Sequence, residues 1–141
     1  MDTSAEQGSF AIEAAILVPA LLLFLLMVIA AGRVETAGGV VDAAAREGAR
    51  SASLTRTTDA AIQAAQDSAA TTLNQEGVSC RNQQLAEVDT RDFAPPVGQT
   101  GRVTVTVRCT VSLADLAVPG LPGSITMTST FTSVVDAYRA R

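Results

Sequence analysis

The sequence predicts an α+β fold: a long N-terminal helix, membrane-spanning in its first part and amphipathic in its continuation, packed on a small antiparallel β-sheet. Three observations carry this expectation. No charged residue falls between Ala14 and Gly32. Small apolar residues then recur at three- and four-residue spacing through the following segment, as on a helix face. From Val103 onward the period changes to two, as in a strand with one buried face. These shifts divide the 141 residues into a short polar stretch (1–8), a spanning helix (9–32), an amphipathic helical segment (33–77) and a small β-rich domain (78–141).

The apolar run is oily on every side, through Ile16, Leu17, Val18, Leu21 to Leu26, Met27, Val28 and Ile29. A helix crosses the hydrocarbon layer in roughly twenty residues at about 1.5 Å each, so the run has the length of a span. The residues before it, Met1-Asp2-Thr3-Ser4-Ala5-Glu6-Gln7-Gly8, hold two acids and no base, unlike the positive start of a secretory signal. Ala30-Ala31-Gly32 offers small residues for an alternative cut by signal peptidase. Glu13 stands at the head of the run, where an unpaired carboxylate costs a few kcal/mol or more. Two readings stay open from composition alone: Glu13 sits at the headgroup boundary, or it meets a compensating positive group.

Gly8-Ser9-Phe10-Ala11-Ile12-Glu13 places a glutamate five residues after a glycine at the junction of polar and apolar sequence. This resembles the precursor signal of type IV pilins and pseudopilins. Glu13-Ala14-Ala15-Ile16-Leu17-Val18-Pro19-Ala20-Leu21-Leu22-Leu23, with proline six residues after the glutamate and a leucine-rich run behind it, resembles more narrowly the TadE-like pseudopilins of tight-adherence (Flp-type) pilus systems. Val41 to Arg50 is similar to that family's small-residue helical segment. The resemblance covers the first fifty residues and implies that residues 1–8 are a leader peptide. It also implies that prepilin peptidase cuts between Gly8 and Ser9, and that Glu13 becomes the fifth mature residue and pairs with the new amine of a neighbouring subunit. Other pilin and pseudopilin subunits and membrane lipid are the partners implied. The leader departs from the family pattern in carrying Glu6-Gln7 where a basic residue is usual. Pro19 frees a backbone carbonyl and predicts a kink in the anchor.

From Arg33 to about Leu54, Val34, Ala37, Val41, Ala44, Ala45 and Gly48 form a stripe of small residues, with Gly38-Gly39 loosening or bending the helix. This face packs either on the chain's own domain or on another subunit. Leu54 to Thr58 interrupts the pattern. A second helix follows over residues 59–74, with Ile62, Ala65, Ala69 and Leu73 on one side, Thr57 or Thr58 as its cap and Gly77 at its end.

Val103, Val105, Val107, Cys109 and Val111 alternate with polar residues in one strand, and Ile125, Met127 and Phe131 alternate with threonines in a second over residues 124–135. Val118-Pro119-Gly120-Leu121-Pro122-Gly123 is a turn-rich connection. A weak edge strand lies within residues 85–93 and a loop over residues 94–101. The two cysteines, Cys80 and Cys109, follow the span. On the outer side of a membrane they form one disulfide, closing a loop of about thirty residues and contributing about 2–4 kcal/mol; otherwise they are two buried thiols.

With ten basic and fourteen acidic groups, net charge −4 and no basic cluster, nothing points to nucleic acid. No histidine is present, and the sequence offers no activated nucleophile, metal-ligand set or phosphate-binding glycine loop. Asp89 and Asp92 belong to a solvated loop in preference to a cation site. The expectation is a structural subunit, not an enzyme, without cofactor: membrane-held, single-pass, with its C-terminal domain outside the cytoplasm. The competing expectation is a single-pass envelope binding protein that does not polymerise.

Overall fold

The computed structural model describes residues 3–81, 86–96, 98–116 and 122–136, with side chains from Glu13 onward. The fold is α+β, as expected. Helix α1 runs over Thr3–Ser53 and α2 over Thr58–Gln75; strand β1 (Ala86–Asp89), strand β2 (Gly101–Ser112), the short helix α3 (Leu113–Leu116) and strand β3 (Ser124–Val135) follow. All three strands form one antiparallel sheet in the order β1-β2-β3.

Helix α1 is unbroken through Pro19 and through Gly38-Gly39, so the glycine pair does not interrupt it. Its apolar run is bare. The large hydrophobic residues from Ile16 to Ile29 are exposed at 46 to 70 % of their surface, whereas Ala37, Val41, Ala44, Ala45, Ala49 and Ala52 are buried. The last turn tightens, with Leu54 N–H donating to Ser51 C=O and Thr55 N–H to Ala52 C=O. That ends α1 within the expected interruption.

Helix α2 begins at Thr57, whose Oγ1 accepts from the Ala60 N–H at 3.3 Å. It ends with Gly77 at φ +72°, Gly77 N–H donating to Asn74 C=O and Val78 N–H to Leu73 C=O. Those two bonds satisfy carbonyls that the helix leaves without partners, and only glycine takes that backbone conformation without strain. The buried stripe is Ala61, Ala65, Ala69 and Leu73; Ile62, expected on that face, is only half-buried.

The two helices form one layer and the sheet the other. Small side chains let the helices lie close together: a Cβ on Gly48 would stand 3.1 Å from the Ala65 carbonyl oxygen and 3.3 Å from Val105 Cγ1. Beneath them, Val103, Val105, Val107, Cys109 and Val111 of β2 are almost wholly buried. Ile125, Met127 and Phe131 of β3 pack at the margin of this core. On the opposite face, hydroxyls pair across the two strands, Thr104 with Thr132 at 2.8 Å, Thr106 with Thr130 and Thr110 with Thr126 at 2.9 Å. The expected edge strand is the four-residue β1, and ahead of the turn-rich connection stands α3, which sequence patterning missed. Residues 118–121 of that connection lie outside the described residues.

Candidate functional site, an apolar helix carrying one carboxylate

The backbone of Gly8 and Ser9 lies within α1; their side chains fall outside the described ones. Glu13 is exposed and has no hydrogen-bond or ion-pair partner among the described residues. The nineteen uncharged residues behind it, Ala14 to Gly32, correspond to about 28 Å of helix, the thickness of a hydrocarbon core. Among the described residues nothing covers the most apolar part of this helix, which is 0 % buried. A soluble domain's core helix would be covered by its own sheet. Length, composition and exposure together make α1 a candidate membrane anchor. Pro19 lies six residues beyond Glu13 in the bare run, so the intrachain bond its missing N–H removes has no neighbour among the described residues to replace it.

The candidate anchor and the folded domain share one helix, α1, and side chains fix how the sheet sits on it. Asp42 accepts from Arg46 Nη2 at 2.7 Å, one turn along, and from Ser129 Oγ of β3 at 2.8 Å. The Arg46 guanidinium lies 5.5 Å from the centre of the Phe131 ring. From Asp42 to Arg46 the helix rises about 6 Å and from Ser129 to Phe131 the strand rises about 6.6 Å, so β3 runs beside α1 in the same direction. Sequence reasoning missed this clip. The Asp42/Arg46 spacing signals a helical ion pair, but nothing local to Ser129 or Phe131 names their helix partners.

Cys80 and Cys109 are joined in a disulfide, with Cα atoms 5.0 Å apart. Arg81 N–H donates to Thr110 C=O at 2.8 Å, so the segment after α2 is tied to β2 by a covalent and a hydrogen bond. At the end of β1, Asp89 takes the guanidinium of Arg91, in the following loop, in a two-oxygen pair and accepts the Arg91 backbone N–H. These bonds hold the Asp89 carboxyl down from 3.8 to about 2. Its negative charge is thereby already matched within the loop. Among the described residues no three histidine, cysteine, aspartate or glutamate side chains gather as a metal site. A surface hollow of about 320 Å³ is bounded by Arg33, Thr36, Glu76, Val78 and Asp115, and the Thr36 hydroxyl donates to Gly32 C=O at 2.9 Å.

A family model described as TadE-like protein matches residues 8–50. That segment is thus similar to a pilus-associated, structural family. The match takes in Gly8, Ser9, Glu13, Pro19 and the whole apolar run, and it ends inside α1, on the turn that follows the Asp42/Arg46 pair. No curated protein and no solved structure matches the chain.

Proposed function

We propose that the chain is a pilin-like structural subunit, a minor pilin or pseudopilin, of a tight-adherence type IV pilus. On this reading prepilin peptidase cuts between Gly8 and Ser9, the helix of residues 9–32 holds the subunit in lipid as a single span, and the domain from residue 33 onward stands outside the cytoplasm. Assembly through α1 then brings Glu13 of one subunit to the amine at Ser9 of another.

One observation carries the reading: a carboxylate with no partner among the described residues heads an apolar helix that none of them covers, within the segment matched to the TadE-like family. A charge facing hydrocarbon is costly, and a bundle of like helices is where a neighbour's amine offsets it. The disulfide supports an oxidising compartment for the domain. A folded domain of this size supports a minor component.

N-terminal sequencing of the mature protein tests the processing step. A start at Ser9 is expected; an intact Met1, or a start beyond Gly32, overturns it. Glu13→Ala tests the assembly step: the variant stays in the membrane but loses most co-purification with other pilus subunits. Undiminished co-purification would reduce Glu13 to an interfacial charge.

A further inference from the structure

We infer that β3 and β1 are complementary assembly edges, and that β3 of one copy takes β1 of a second copy inserted in the same membrane with the same orientation. The inference rests on the anchored reading of α1 and adds to it a contact between folded domains.

The sheet has two free edges among its described residues, because β2 is paired on both sides. One of them, β3, is long for an edge: twelve residues, SITMTSTFTSVV, without a charge, a proline or a bulge in its register with β2. Proteins usually blunt such an edge with charge, proline or brevity. The rest of the domain does carry charge on its exposed strands, at Glu87, Asp89, Arg102 and Arg108. An edge kept neutral and regular is suited to receive a strand.

Direction selects the occupant. Edge β3 is neutral and threonine-rich enough to pair with itself, but antiparallel β3-to-β3 pairing would reverse one domain relative to the other. Since β3 runs beside α1 in the same direction, reversal would send the two anchors to opposite sides of the joint. Copies held in one bilayer cannot meet that way. Same-orientation copies related by a sideways shift present their other edge instead. Strand β1 is antiparallel to β2, and β2 to β3, so β1 and β3 run in the same direction. A copy shifted sideways by one sheet width therefore brings β1 to β3 as a parallel pair.

The rows of the sheet then set the register. Glu87, Thr106 and Thr130 form one row, and Val88, Val105 and Phe131 the next. A sideways shift sets Glu87 of the second copy against Thr130 and its Val88 against Phe131. Glu87 is exposed and has no partner among the described residues. In the Thr106/Thr130 pair one hydroxyl proton is used between the two oxygens, which leaves the other O–H to donate to that carboxylate. Val88 and Phe131 are both half-buried at the margin of the core, and the contact covers both. Such a head-to-tail contact repeats without closing unless the rotation between copies closes it, as a filament requires.

The test uses full-length chains in membrane, one copy carrying Glu87→Cys and the other, differently tagged, Thr130→Cys, with mild oxidation. Disulfide-linked heterodimer is expected at about ten-fold or more over the control pair Glu87→Cys with Thr126→Cys, whose partner lies about 13 Å away along β3. Equal yields from the two pairs overturn the inference, and so does Thr130-to-Thr130 homodimer as the main product. Membrane retention is read on the same samples by alkaline extraction. Retained protein without the heterodimer defeats the edge pairing alone, whereas protein released from the membrane defeats the anchored reading with it.

Discussion

Two glycines ten residues apart on α1 have opposite duties. A Cβ added to Gly38 meets nothing within 4 Å, whereas one added to Gly48 presses on the Ala65 carbonyl and the Val105 methyl. Alanine is favoured over glycine inside a helix by about 1 kcal/mol. Gly38→Ala is therefore expected to stabilise the domain by up to about 1 kcal/mol, while at Gly48 overpacking of about 1–3 kcal/mol outweighs the same gain. Denaturant unfolding of both full-length variants in detergent checks the sign, and equal shifts would show that the helices separate freely at Gly48. Asp89 supports a prediction in pH. Its carboxyl is lowered from 3.8 to about 2 by the hydrogen bonds and charge of Arg91. A group depressed on folding contributes above its unfolded value and loses that contribution as pH falls through its folded one. The loop's ordering should hold down to pH 3.8 and fade toward pH 2. In Arg91→Ala, an NMR titration of Asp89 should move its midpoint back up toward 3.8; an unmoved midpoint would mean that another group holds the charge.

At the scale of elements, the disulfide anchors the start of the β-rich half. It joins the exit of α2 to the middle of β2 across 29 residues of sequence. Reduction is expected to lower stability by about 2–4 kcal/mol, chiefly by freeing the unfolded chain. Unfolding with and without reductant measures it, and a loss below about 1 kcal/mol would show that the Arg81–Thr110 bond and Val78 packing hold the segment unaided. Elements with a strong period or a terminal signal were legible in sequence: the alternation of β2, the threonine alternation of β3, the Thr57 cap and the Gly77 stop. Helix α3 was not, because four residues are too few to show a period. The half-burial of Ile62 was not legible either, since a stripe of alanines fixes a helix face only to within a residue. Which strand faces which helix residue depends on the turn through residues 54–57 and on tertiary packing. For that reason the Asp42–Ser129 and Arg46–Phe131 contacts emerged only in three dimensions, although Glu13, Pro19 and the cysteine pair stood out in the sequence.

At the scale of the whole molecule, the chain divides its apolar residues between a packed core and an uncovered helix. Those of the domain are mostly alanine and valine packed inside a helix-on-sheet sandwich; those of the candidate anchor are leucine, isoleucine, valine and phenylalanine facing outward. The two sets share one helix but no core, because the most apolar window of α1 is 0 % buried. Their energetics should therefore separate. Leu22 lies near the middle of the run and is 54 % exposed. An arginine at the centre of a span costs roughly 2.5–3.5 kcal/mol of insertion free energy, yet at position 22 it removes no contact from the domain. Leu22→Arg is thus expected to release most of the protein from membranes under alkaline extraction. The unfolding midpoint of the domain, measured in detergent, should stay within about 0.5 kcal/mol of the parent's, the range of surface substitutions away from packed sites. If the domain lost stability together with membrane retention, the anchor would be part of the fold. If retention survived, the apolar helix would be held by a protein neighbour and not by lipid, and the assembly contacts at Glu13 would then be the first place to look for that neighbour.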